Sequence, residues 1–172
     1  LDSGTINVSG NYFVTCASAT VCADGGTTLV RMVGPAPASY ISTGGKAGPL
    51  QIAKNAGVAV TPSGGTTNLK VSDFELASGL FTAPSGTFEV GNTYAGDNPK
   101  GFVVASGTTF THNNGTLYLN TEVFGNCSGQ IAMTVDVPTT LTLNNLKVQS
   151  DQTGCGPWSE IDIATGDKLV VN

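Results

Sequence analysis

The feature that most constrains this chain is short-range alternation of apolar and polar residues. It appears at 5–9 (TINVS) and 68–76 (NLKVSDFEL), then at 87–90 (TFEV), 116–120 (TLYLN) and 130–137 (QIAMTVDV). It closes with 140–143 (TLTL), 160–163 (EIDI) and 168–171 (KLVV). A period of two puts apolar side chains on one strand face and polar ones on the other, which is the mark of half-buried strands. Between the runs stand clusters of Gly, Asn, Asp and Pro such as 63–65 (SGG), 95–99 (AGDNP) and 113–115 (NNG). Asn114-Gly115 is expected to make a tight turn, because both residue types tolerate positive φ. The one stretch with helical character is 50–60 (LQIAKNAGVAV), a turn or two of helix or an irregular connection, interrupted at Gly57. The fold class expected is all-β.

Composition narrows the function. Only 11% of the 172 residues are charged, against about a quarter in an average domain. With 40% hydrophobic residues the chain is not disordered, and Thr, Ser, Asn and 23 glycines must carry its solubility. Residues 1–172 read as one domain, with 1–60 as an irregular cap or a strand-donating segment. The net charge of −5 and the spread of Arg31, Lys46, Lys54, Lys70, Lys100, Lys147 and Lys168 argue against nucleic acid, which requires clustered cations. The same spread leaves no basic membrane patch, and no apolar run nears the roughly 20 residues of a membrane span. Starting at Leu1 without a leader pattern, the chain reads as a mature or trimmed product. Cys16, Cys22, Cys127 and Cys155 are expected to form two disulfides in an oxidising compartment. Of the three pairings open to four cysteines, 16–22 and 127–155 close the shortest loops.

Phrases also recur. Residues 85–90 (SGTFEV) are echoed at 114–119 (NGTLYL), 138–143 (PTTLTL) and 165–170 (TGDKLV), and 68–71 (NLKV) returns as 145–148 (NLKV). A recurrence of two dozen residues or slightly more matches one coil of a parallel β-solenoid, with a β-sandwich or jelly roll as the alternative. Residues 81–88 (FTAPSGTF), 110–117 (FTHNNGTL) and 140–148 (TLTLNNLKV) resemble Gly/Thr-rich repeats of bacterial surface and adhesin-like proteins. Over roughly the last hundred residues that resemblance implies an extracellular structural or adhesive role. It brings no catalytic residue. The cysteines and the segment 34–37 (GPAP) fall outside its pattern.

No enzyme is expected. His112 is the only histidine, set in turn-like sequence, and nucleophilic catalysis needs a positioned base. Asp73 with Glu75, and Glu160 with Asp162, place two carboxylates at i and i+2, the closest approach to a polysaccharide-cleaving pair. A solvated strand face explains both. Asp97, Asn98 and Asp151 offer oxygen ligands for calcium, but EF-hand spacing is absent, so no cofactor and no metal site are expected. Trp158 is the one aromatic singled out for contact with a glycan, against the plainer role of packing over a nearby disulfide.

The ends carry the functional expectation. Neither terminal strand segment is guarded by a charge cluster or proline, so Thr5, Ile6 and Val8 at one end and Leu169, Val170 and Val171 at the other are expected to pair with a second copy. The chain is thus read as a secreted, pilus-like structural subunit that builds a filament or surface layer as a homopolymer. In a strand-addition version, residues 3–15 are the donated segment. Two alternatives stand beside it: a carbohydrate- or surface-binding adhesin module, and a fragment of a polysaccharide-degrading β-helix enzyme.

Overall fold

The structure, a computed structural model, describes residues 4–15, 27–94, 101–124, 131–149 and 159–172. Among these residues the chain forms eighteen strands and no helix. The first sheet holds β1 (Thr5–Val8), β3 (Leu29–Gly34), β5 (Leu50–Lys54), β8 (Phe74–Ser78), β11 (Gly101–Val104), β14 (Ile131–Asp136) and β17 (Ser159–Ile163), side by side in that order. The second holds β2 (Tyr12–Val14), β4 (Ala38–Ser42), β6 (Ala59–Pro62), β9 (Leu80–Thr82) and β12 (Thr109–Thr111). The third holds β7 (Asn68–Val71), β10 (Thr87–Tyr94), β13 (Thr116–Phe124) and β16 (Asn145–Gln149), while β15 (Leu141–Leu143) pairs with β18 (Leu169–Val171).

Strands neighbouring in space are never neighbours in sequence. Thr5 lies opposite Leu29, Leu50 opposite Phe74, and Phe74 opposite Phe102, so each strand pairs with one a full round of the sheets later. All pairs between these strands are parallel, which does not favour the antiparallel sandwich or jelly roll. The sequence echoes fall on shared registers. Residues 87–90 pair with 116–119, and Leu141 pairs with Leu169. The two NLKV segments form β7 and the start of β16, at opposite edges of the third sheet.

Alternation delivers the core. In β7 Leu69 and Val71 are buried while Asn68 and Lys70 are exposed. Phe74, Phe81 and Phe88 come from one strand of each of the three sheets and meet with ring centroids 4.8, 5.0 and 5.5 Å apart. One round later Phe102 stacks on Phe74 at 5.7 Å and Phe110 lies 5.9 Å from Phe81, so the rings fill the interior in layers. Tyr40 stacks on Phe81 from the other side at 5.5 Å, fully buried, and its hydroxyl donates to the Thr82 carbonyl at 3.0 Å.

Three local expectations need correction. Residues 50–60 are neither helix nor irregular connection: β5 and β6 flank a turn in which Gly57 takes φ +76° and Val58 donates to the Asn55 carbonyl. The run 68–76 is not one strand but β7 and β8, which lie in different sheets and are separated by a corner at Ser72-Asp73. The tight turn is centred one residue earlier than expected. Asn113 and Asn114 take the positive φ values of 50° and 58°, and Gly115 N–H donates to the His112 carbonyl. That turn joins β12 to β13, which belong to different sheets, so it is a corner and not a hairpin.

A buried lysine ties the rounds together at another corner. Lys54, at the end of β5, is 1% exposed, and its Nζ donates to the carbonyls of Val33 at 2.7 Å and Ser9 at 2.8 Å. Its own carbonyl accepts the Ser78 hydroxyl at 2.6 Å. Desolvation lowers its pKa, a cost that the two carbonyls offset in part.

Phe74→Ala is expected to lower the unfolding free energy by about 3–5 kcal/mol, since its ring touches four others. Phe13→Ala, at a ring 58% exposed, should change it by less than about 0.5 kcal/mol. Urea titration of both variants measures the contrast. Burial also raises the Tyr40 phenol above its usual pKa of 10.0. Its contribution is therefore complete below pH 10 and is lost as pH rises above it, because the unfolded phenol then ionises while the folded one cannot. Lys54 acts in the opposite sense, its burial cost easing as pH climbs toward 10.5. The tyrosine effect is read from Tyr40→Phe, whose stability deficit against the parent should shrink between pH 8 and pH 11.

Candidate functional site

Two regions stand out: the ends of the sheet stack and a groove along its third sheet. At one end β1 is an edge strand of the first sheet and β2 an edge strand of the second. Ile6 and Val8 lie opposite Val30 and Met32, so they share the inward face of the core, yet Ile6 is 43% exposed. At the other end Val148, Ile163 and Val171 lie opposite the buried residues Leu119, Val135 and Leu143, and each is about half exposed. These are core positions with no layer beyond them among the described residues. The structure places all six proposed assembly residues here: Thr5, Ile6 and Val8 in β1, and Leu169, Val170 and Val171 in β18. Within the chain β1 is paired along its length with β3.

The groove is a concave surface of about 640 Å³ running across the rounds at the corner between the second and third sheets. One wall is backbone and small side chains, from Ser42 to Gly45 and at Gly64 and Gly65. The other is the outer face of the third sheet. There the register aligns Lys70, Glu89, Tyr118 and Lys147 in one column, because Lys70 pairs with Glu89, Glu89 with Tyr118 and Tyr118 with Lys147. A row of Asn68, Thr87, Thr116 and Asn145 runs parallel to it. Glu89 is 3% exposed; its Oε2 meets Lys70 Nζ at 2.9 Å and its Oε1 accepts from Asn120 Nδ2 at 2.9 Å. The Lys147 ammonium sits 3.9 Å from the centre of the Tyr118 ring, whose hydroxyl bonds the Gln149 side chain. Close approach of β10 and β13 needs a glycine: at Gly91, with φ +104°, a Cβ would stand 1.9 Å from the Asn120 carbonyl oxygen.

The sequence description of the lysines as scattered therefore changes. Lys70 and Lys147 share a column, and Lys46 precedes Ala47 as Lys70 precedes its bridge partner Val71, which puts Lys46 at the same register position. Nothing in the sequence exposes this grouping. It requires the parallel register.

The carboxylates lie elsewhere. Asp73 sits at a corner, where its Oδ1 accepts from Gly101 N–H at 3.1 Å, and Glu75 accepts from Gln51, which also bonds Arg31. Asp73 and Glu75 line a smaller hollow of about 290 Å³ on that side. Glu160 and Asp162 are exposed on β17. His112 holds its own turn, its Nδ1 accepting from Asn114 N–H at 3.0 Å. Cys16, Cys22, Asp97, Asn98, Cys127, Asp151, Cys155 and Trp158 lie outside the described residues. Among the described residues no three His, Cys, Asp or Glu side chains gather as a metal site would require.

Lys70→Met should cost about 1–2 kcal/mol, because it takes the Lys70 ammonium away from the buried Glu89 carboxylate. Lys70→Met combined with Glu89→Gln should recover most of that loss, since the amide oxygen still accepts from Asn120. A double-mutant cycle in urea reads the coupling.

Comparison with protein-family models, with curated proteins and with solved structures finds no match, so the chain's own geometry carries the functional argument.

Proposed function

We propose that the chain is a parallel β-solenoid serving as an extracellular structural subunit, extended end to end by strand pairing into a filament or surface layer. The observation that carries this reading is the exposure, among the described residues, of inward-facing side chains on the outermost strands of the sheets. Inward-facing Ile6, Val148, Ile163 and Val171 are 43–53% exposed, beside strands with an unpaired edge. Edge strands left unguarded recruit further strands, and apolar core positions gain by being covered. The two ends are also complementary in order. A second copy placed beyond β17 and β18 would offer β1 to the first sheet and β2 to the sheet beside it, continuing both in parallel. Such a contact joins different surfaces of the two copies, so it repeats into an open fibre.

A role outside the cell rests on the cysteines. The sequence reading of Cys16, Cys22, Cys127 and Cys155 as two disulfides, all outside the described residues, fits an oxidising compartment. No catalytic role is proposed. The Asp73 carboxylate is taken up by a backbone amide and that of Glu75 by Gln51, which is what structural carboxylates do.

Negative-stain electron microscopy with sedimentation velocity tests the proposal on the intact chain, on Ile6→Lys and on Val171→Lys. The intact chain should form filaments as its concentration rises. Either lysine variant should remain monomeric with an unchanged circular dichroism spectrum, because a charge then faces the interior at the joint. A monomer at every concentration, or filaments that survive both substitutions, would sink the end-to-end reading.

A further inference from the structure

We propose that the groove along the third sheet binds a linear acidic polysaccharide, with Lys147 and Lys70 holding its carboxylate or sulfate groups. This stands apart from assembly at the ends and can hold whether or not filaments form.

Four observations meet at the groove. The first is charge segregation. Although the chain has 12 acidic and 7 basic residues, among the described residues the one acidic side chain lining the groove is Glu89, which is 3% exposed and already paired with Lys70 and Asn120. Exposed Asp136, Glu160 and Asp162 lie on strands of the first sheet instead, as does Glu75. The groove face therefore carries positive charge on a molecule that is negative as a whole.

Shape is the second. The lining comes from five successive rounds, from Ser42 through Lys70, Glu89 and Tyr118 to Lys147. At about 4.8 Å between neighbouring strands, four spacings make a groove roughly 20 Å long. That suits an extended polymer better than a small compact ligand.

Third comes the chemistry of the lining. Ser42, Thr43, Thr67, Asn68, Thr87 and Thr116 offer hydroxyl and amide groups that both donate and accept, as a polyhydroxylated chain requires. No apolar stripe runs through them, so an amphipathic peptide would find nothing to bury.

The fourth separates acidic from neutral sugars. A neutral sugar gains most from stacking on an open aromatic face, and Tyr118 is the groove's aromatic. Its ring is covered by the Lys147 ammonium at 3.9 Å. What the groove presents outward is the cation. Exposed Lys147 and half-exposed Lys70 stand three strand spacings apart in one column, which serves a polymer with anionic groups repeated along its length.

Affinity electrophoresis tests this with polygalacturonate as the acidic probe and dextran as the neutral one. The intact chain should be retarded by polygalacturonate and not by dextran. Retardation should fade toward about 0.5 M NaCl, where exposed charges are screened. Lys147→Gln should weaken binding about threefold without moving the melting temperature, as expected for one exposed charge contact. The double variant Lys70→Met with Glu89→Gln, which removes the second cation together with its buried carboxylate partner and so conserves local net charge, should weaken it by a similar factor. No retardation, equal retardation by both polymers, or full retardation in Lys147→Gln would overturn the assignment. So would salt-sensitive self-association without polygalacturonate binding, which would give this face to the acidic first sheet of a second copy.

Discussion

Parallel pairing between strands a full round apart is the constraint on which the rest of this molecule depends. A parallel strand cannot reach its partner through a tight turn, so the chain must travel around the other sheets before it returns. Each return brings like positions into register: Phe102 onto Phe74, Phe110 onto Phe81, Leu117 onto Phe88. Side chains that face the interior then stack in columns, and the interior is filled one layer at a time. The rings of Phe74, Phe81 and Phe88 fill one such layer, Phe102 and Phe110 carry rings into the next, and aliphatic residues such as Ile52, Val60, Val135 and Leu143 fill other positions of the core.

The same constraint determines where polar groups go. A column on the outer face repeats one chemical environment from strand to strand, so neighbouring side chains in it must tolerate each other. On the first sheet Arg31, Gln51 and Glu75 solve this as a relay, with the neutral amide bonded to the guanidinium on one side and the carboxylate on the other. On the third sheet Lys70, Glu89, Tyr118 and Lys147 solve it by alternating cation, anion and aromatic ring. At the end of β5, Lys54 reaches carbonyls of two earlier rounds and adds side-chain bonds to the strand pairing there. Stability and surface chemistry are thus consequences of one register.

It also sets a boundary. Each interior layer is covered by the next, and among the described residues Ile6 and Val171, on the outermost strands, are left about half exposed. The lateral face has no such deficit. Its apolar residues are few, its hydroxyls are many and its cations are aligned, which separates the proposed joint at the ends from the proposed groove along the side.

Much of the fold was legible in the chain. Period-two runs determined that strands would form and which residues would be buried, as Leu69, Val71, Phe88 and Val90 show, because alternation is a local property of a strand. Echoes such as the two NLKV segments pointed to a shared register for the same reason. Several strands escaped notice: β9 and β12 because three residues show too little of a period, and β3 and β11 because LVRMVG and GFVV do not alternate. The corner at Ser72-Asp73 was hidden because the alternation runs through it almost unbroken. The groove could not be read at all. Lys46, Lys70 and Lys147 are far apart in sequence, and only the return of the chain to the same sheet at a defined register sets them in one column. Sequence alone decides which face of a strand is apolar, because that depends on neighbours two residues away. Which polar residues become neighbours depends on the length of each round, and that is settled only when the core has packed.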